Sequence, residues 1–265
     1  MKPNVFSEAH AAYLKALRRK NRLVVFARIG VLILFLLLWE LGAALRWFDP
    51  FILSSPSRVI AAIGRLIADG SLWVHVGTTL LETVLGFLLG TALGAAIAVV
   101  LWWFPLLNRV LDPYLVVLNA LPKIALGPVL IVWIGAGMAS IVVMGVLVSL
   151  VVTTVTVLNG FLAATDEKQL LMRTLGASKL QIFTKVVFPA GVPDLICALK
   201  ISVGMSWVGV IVGEYLVSKA GLGYLIVYGG QVFKLDLVMA SVTVLCVLAA
   251  LMYYAVALLE MKVRR

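Results

Sequence analysis

The chain has 265 residues, 63% of them hydrophobic and 13% charged, with a mean hydropathy of +1.12 and a formal net charge of +10. Too few polar side chains remain to cover a soluble domain, so lipid must solvate most of the chain. The basic residues are dispersed between apolar runs, which fits a positive-inside bias and no nucleic-acid partner, and Cys197 and Cys246 lie within apolar runs, against a disulfide framework.

In chain order, a basic tail over residues 1–23 precedes one membrane domain, 24–262, and a short cytoplasmic end, 263–265. The apolar run from Val24 to Leu45 exceeds the roughly 20 residues a bilayer requires, so it reads as an uncleaved first span and not a signal peptide. Further spans are predicted near 78–104, 113–134, 138–162, 194–216 and 237–259, six with the first at 24–46. With both termini inside, 16 Lys and Arg face the cytoplasm and five face outward, leaving Lys123 within a span. The reverse orientation would invert that bias, so the fold class is an all-α membrane protein, N-in and C-in.

Two connections exceed simple turns. In the outer one, about 47–77, Ser55 is placed to cap a helix that has Pro56 at its first position, an apolar face of Val59, Ile63, Leu66 and Ile67, and Gly70 as its stop. The inner one, 163–193, carries Asp166, Glu167, Lys168, Arg173, Lys179 and Lys185 among Leu170, Leu171, Leu175, Leu180 and Phe183. The pattern predicts two short amphipathic helices broken at Gly176, with Ala177 following in the same loop and Pro189 and Pro193 at the entry to the fifth span. An amphipathic surface outside the bilayer calls for a soluble partner.

This inner loop resembles the cytoplasmic signature of binding-protein-dependent ABC importer permeases: Glu-Ala-Ala, three residues, Gly, nine residues, then Ile-x-Leu-Pro. Gly176, nine residues, and Val186-Val187-Phe188-Pro189 match its second half, whereas Leu170-Leu171-Met172 stand at the Glu-Ala-Ala positions. The resemblance covers roughly residues 50–258. Leu121-Pro122-Lys123-Ile124-Ala125-Leu126-Gly127-Pro128, Trp133-Ile134-Gly135-Ala136-Gly137, the Ser-Pro-Ser-Arg helix, Gly213-Glu214-Tyr215 and Gly221-Leu222-Gly223-Tyr224 look like the nitrate, sulfonate and taurine branch. What it implies is a type I importer permease fold in the inner membrane, with the loop docking as a coupling helix on an ATP-binding subunit present in two copies. An extracytoplasmic substrate-binding protein and a second permease copy would complete the importer. ATP and Mg²⁺ would bind the partner, and the solute would be a small anion such as a sulfonate, taurine or nitrate, although relatives also carry pyrimidine vitamin precursors. The missing acid at position 170 removes a salt bridge that Asp166 or Glu167 could replace.

No Gly-x-x-x-x-Gly-Lys-Ser/Thr stretch is present, so phosphates find no cradle on this chain. His10 and His75 are the only histidines, and no His-Glu-x-x-His or acid cluster with metal-ligand spacing occurs, which argues against an intramembrane enzyme. An ion-coupled secondary transporter, with Glu82 and Glu214 as proton carriers, is the alternative, but no inverted repeat is evident and the inner loop would then have no purpose. Pro122, Gly127 and Pro128 weaken the third span and mark a wall of the translocation path, or else only bend a packed helix, with Lys123 a cation either facing the path or snorkelling to the interface. Ser202, Ser206, Trp207 and Glu214 on the fifth span are further pathway candidates; the two serines, at i and i+4, fit a packing seam equally well, and Glu214 either gates the cavity or packs by hydrogen-bonding a partner helix. Gly86, Gly90 and Gly94 read as a close-approach seam. Trp39, Trp47, Trp102 and Trp103 read as interface anchors.

Overall fold

The structure, a computed structural model, describes residues 8–164 and 166–263. Apolar sequence without water to satisfy its backbone favours helices, and no strand occurs among the described residues. The chain divides into two compact units at residues 62 and 63.

In the first unit, α1 (Glu8–Ala44) contains a 32-residue stretch, Tyr13–Ala44, long and apolar enough to cross a bilayer. None of its most apolar window is buried within that unit. The chain then turns back sharply: Arg46 adopts φ 56°, and the Phe48 ring fills the space a Cβ on Gly42 would need. Asp49 caps the short α2 (Pro50–Leu53) by accepting from Phe51 N at 2.8 Å. Glu40, an acid whose sequence offers no evident partner, accepts from Ser57 N at 3.0 Å and Ser57 Oγ at 2.8 Å. The predicted surface helix is α3 (Pro56–Ala68), with Arg58 N reaching Ser55 Oγ at 3.4 Å and Gly70 left-handed at φ 75° beyond its end.

The second unit is built around three long helices: α4 (Ser71–Trp103), α7 (Met138–Leu162) and α10 (Phe188–Val217). Helix α7 is the most buried and touches both others at backbone distance. Along α4, a Cβ on Gly90 would lie 2.1 Å from Ser149 Oγ and one on Gly94 2.8 Å from Leu150 O, so the predicted small-residue seam is real. On the opposite side, a Cβ on Gly209 of α10 would lie 2.7 Å from Gly145 Cα. Several hydroxyls inside the bundle are spent on carbonyls one turn back, as Ser149 on Gly145 O and Thr154 on Leu150 O, whereas Thr83, Thr91 and Ser206 are buried with no hydrogen-bond partner for their hydroxyls.

The third predicted span is not one helix. Helix α5 (Pro105–Ala120) begins earlier than predicted and stops before Leu121; a 3₁₀ turn over Lys123–Leu126 leads into α6 (Gly127–Ile134), and the two halves bend by 87°. Pro122 lacks the N–H that would continue the ladder, which places the break where the sequence puts proline. Among the described residues, five continuous helical stretches and this broken pair account for the candidate spans. After α7 come α8 (Asp166–Thr174) and α9 (Lys179–Ile182). A π-helix, Phe183–Val187, leads into α10, followed by α11 (Leu222–Gln231) and α12 (Leu235–Val263). Lys200 of α10 and Glu260 of α12 form an ion pair, and both cysteines are free thiols on the helix exterior.

Candidate functional site

The loop between α7 and α10 is shaped by a few local contacts. Ser178 Oγ accepts from Gln181 N at 3.3 Å while Gln181 Oε1 accepts from Ser178 N at 2.8 Å, a reciprocal cap that starts α9 immediately after the hinge. Gly176 sits at φ 77°, a conformation open to glycine at little cost, so α8 ends there as predicted. The two faces of the pair then differ. Met172, Ala177, Ile182 and Phe183 turn toward a core of Ala98, Leu101, Val157 and Phe161. Leu170, Leu171, Leu175 and Leu180 point away and remain exposed, Leu175 at 74%.

Phe183 fastens the loop to the bundle. Its ring centre lies 4.9 Å from that of Trp102, 5.5 Å from Phe161, 6.0 Å from Phe188 and 6.2 Å from Trp103. Trp102, read from sequence as an interface anchor, is instead a core residue at 9% exposure, because Phe183 covers its ring; Trp47 is 71% exposed. Lys179 Nζ donates to Trp103 O and lies 5.7 and 5.5 Å from the Trp102 and Trp103 ring centres, a cation on two aromatic faces. A cavity of about 430 Å³ opens beside it, lined among others by Asn108, Gln169, Arg173 and Lys179. At the place of the family acid, Leu170 is exposed, as is Glu167; the side chain of Asp166 lies outside the described residues.

The sequence-predicted pathway residues separate into two groups. Ser202, Ser206, Trp207 and Glu214 of α10 are all buried, Trp207 in a cluster with Phe87 of α4 and Val256 of α12. Ser202 Oγ and Thr153 Oγ1 share a hydrogen bond at 2.6 Å that ties α10 to α7. Pro122 and Pro128 are exposed at the break, Gly127 is buried against Leu216 and Met144, and Lys123 Nζ donates to Asn119 O at 3.1 Å, one turn back.

A cluster the sequence reading did not assemble lies at the end of α10 away from the loop. Glu214 Oε1 accepts from Thr79 Oγ1 at 2.6 Å, and Oε2 accepts from Gly223 N at 2.5 Å. Thr79 Oγ1 in turn accepts from Leu222 N at 2.8 Å, and His75 Nδ1 accepts from Gly221 N at 3.0 Å. Three successive amides at the start of α11 are thus satisfied by side chains of α4 and α10, where a helix start would otherwise leave them orphaned. A Cβ on Gly221 would lie 2.4 Å from Glu214 Oε1, so glycine is what lets the turn approach the carboxylate. Among the described residues no group of three or more His, Cys, Asp or Glu side chains is arranged to hold a metal.

Comparison with known proteins gives a consistent result. The family described as "Binding-protein-dependent transport system inner membrane component" matches residues 86–265. A probable ABC transporter permease of Haemophilus influenzae is 34% identical over 229 residues, 86% of this chain and 91% of the relative. The taurine transport system permease protein TauC of Escherichia coli is 24% identical across 84% of this chain and 83% of its own length. The riboflavin transport system permease protein RibX of Chloroflexus aurantiacus is 27% identical across 86% and 85%. Among solved structures, a chain of the MetNI methionine ABC transporter in its inward-facing form superposes with a TM-score of 0.64 at 21% identity, covering 73% of this chain and 98% of that one, a likeness of fold.

Proposed function

The chain belongs to the binding-protein-dependent transport inner membrane components, and from that premise we propose that two copies of it, two ATP-binding subunits and one extracytoplasmic binding protein form an importer for a small anionic solute. It is a multi-pass inner-membrane permease subunit of an ABC importer, not an enzyme, and ATP hydrolysis resides on a partner chain. Family membership leaves the ion-coupled alternative without support. ATP and Mg²⁺ bind the partner in this reading, since this chain has no phosphate-cradling loop.

The observation that carries the proposal is the loop hinged at Gly176. It shows four exposed leucines on one side while Phe183 holds the other side to the bundle core. Such a patch is stable in water only when a partner covers it. ATP-driven closure of two partner subunits would draw two such loops together and, through α10, move the far ends of the bundles. The broken segment Pro122–Pro128 is the proposed wall of the path, with Lys123 as the cation meeting the anion. A taurine-transport relative supports the sulfonate class, and a riboflavin relative shows how widely related sequences differ in cargo.

The test is reconstitution with the ATPase and binding protein in vesicles. ATP-dependent uptake should persist after the proton gradient is collapsed and vanish without the ATPase. Leu171→Asp with Leu175→Asp should abolish ATPase co-purification, and Lys123→Met should weaken uptake of a sulfonate while Lys123→Arg retains it. Uptake by the permease alone would refute the proposal.

A further inference from the structure

The cavity of about 430 Å³ beside the Gly176 loop has a lining of mixed chemistry. Arg173 of α8 and Lys179 of α9 supply two cations, and no acidic side chain belongs to its described lining. Among the described residues neither cation is paired with a carboxylate. Lys179 Nζ is held by Trp103 O and two indole rings, which uses one of its three hydrogens. Two like charges on one cavity repel each other unless an anion lies between them. The first turn of α5, which contributes Pro105 and Asn108 to the lining, has no side-chain cap, so its amides add positive field of the same sign.

The neutral polar groups call for the opposite kind of partner. Asn108 Oδ1 is buried and has no hydrogen-bond partner. Gln169 Nε2 donates to Ala164 O at 3.0 Å, so the group that side chain has left is the acceptor Oε1. Two acceptors suit hydroxyl donors, while two cations suit an anion. Leu101 and Trp102 add apolar surface to the same lining. The volume falls within the range of about 300–1,000 Å³ typical of small-molecule sites, so a molecule with a carbon skeleton fits it better than a bare ion.

From this lining we propose that the cavity binds a hydroxylated phosphate ester, glycerol phosphate in its simplest form, either free in the cytoplasm or as the headgroup of phosphatidylglycerol in the inner leaflet. Arg173 and Lys179 take the phosphate, Arg173 through its planar fork, and Asn108 and Gln169 accept from the glycerol hydroxyls. Occupancy has a regulatory consequence. Gln169, Arg173 and Lys179 belong to the loop helices, whereas Trp102 and Asn108 belong to α4 and α5. The cavity exists only while the loop is folded against the bundle, so a ligand at ten times its Kd favours that folded arrangement by about elevenfold. None of the four exposed leucines lines the cavity, so this site and the leucine patch are different faces of the loop.

The experiment uses the full-length permease, purified free of lipid in a neutral detergent. Titration calorimetry with glycerol 3-phosphate should show saturable binding. Arg173→Gln should weaken it by at least about tenfold and Arg173→Lys by less, because the guanidinium contact is charge-assisted and bidentate. Lys185→Gln, which removes a cation of the same loop outside the cavity, should leave binding unchanged. Ethyl phosphate, which carries no hydroxyl on carbon, should bind at least about fivefold more weakly. A second arm follows tryptic cleavage after Lys185 in phosphatidylcholine nanodiscs. Protection by added phosphatidylglycerol beyond that by phosphatidylmethanol, lost in Arg173→Gln, identifies the lipid as the source; protection by glycerol 3-phosphate in phosphatidylcholine alone identifies the free ester. The proposal is overturned if neither source binds or protects, if Lys185→Gln weakens binding as much as Arg173→Gln, or if ethyl phosphate and phosphatidylmethanol match their hydroxylated counterparts. No transport is measured, so such a failure leaves the importer reading standing.

Discussion

Phe183→Ala tests how the Gly176 loop is held. The ring touches four other aromatic residues, with centres between 4.9 and 6.2 Å away, and covers Trp102 at the edge of the bundle core. Truncating a core phenylalanine costs about 3–5 kcal/mol, and partial exposure of Phe183 points to the lower end, about 3 kcal/mol. Since 1.4 kcal/mol is tenfold, the balance between docked and released loop should move by roughly a hundredfold. The helices of the bundle would survive, because their seams are elsewhere. Limited trypsin digestion reads this directly: Lys179 and Lys185 flank the ring, and cleavage there should accelerate strongly in Phe183→Ala and recover largely in Phe183→Leu. Equal cleavage rates in the variant and the parent would refute the claim that this ring fastens the loop.

Two other outcomes follow from specific contacts. Gly209→Ala would set a Cβ 2.7 Å from Gly145 Cα and Met144 O, both backbone, so α7 and α10 must separate; overpacking of this kind costs about 1–3 kcal/mol and should lower the thermal midpoint in detergent, whereas Gly204→Ala, with open space around it, should not. At the start of α4, Asp69 accepts from the Ser71 hydroxyl at 2.6 Å and the Ser71 amide at 2.9 Å, and these bonds hold its carboxyl below the usual range. Because the folded value is the lower one, the stabilisation is present above the ordinary carboxyl range and is lost as pH falls through the folded value. Ser71→Ala should raise the Asp69 titration midpoint, measurable by carbon-detected NMR; an unchanged midpoint would remove the hydroxyl as the cause.

Much of this architecture was legible in the residues because lipid imposes simple rules. Long apolar runs gave the helices, Gly176 gave the hinge, Ser55-Pro56 gave the start of α3, and Gly86, Gly90 and Gly94 gave the α4–α7 seam. The earlier start of α5 escaped because Pro105 and Pro113 suggest loop, yet proline opens one helix turn and is tolerated within another. Trp102 misled because an aromatic near the end of a span looks the same whether lipid or Phe183 covers it. The Glu214 cluster escaped for a deeper reason. His75 and Thr79 precede Glu214 by well over a hundred residues, and no local pattern reveals which helix faces meet. The dipeptide spacing of Gly221 and Gly223 was the one available sign that backbone must approach something closely there.

The π-helix at Phe183–Val187 has a consequence for anyone exchanging parts between transporters. Each residue added to or removed from a helical connector turns everything upstream by about 100° around the axis. Lengthening or shortening the stretch between the Phe183 ring and Pro189 by a single position would therefore aim Leu171 and Leu175 at a different quarter of the cytoplasm. A graft that respects only the hinge glycine would present the right leucines in the wrong direction.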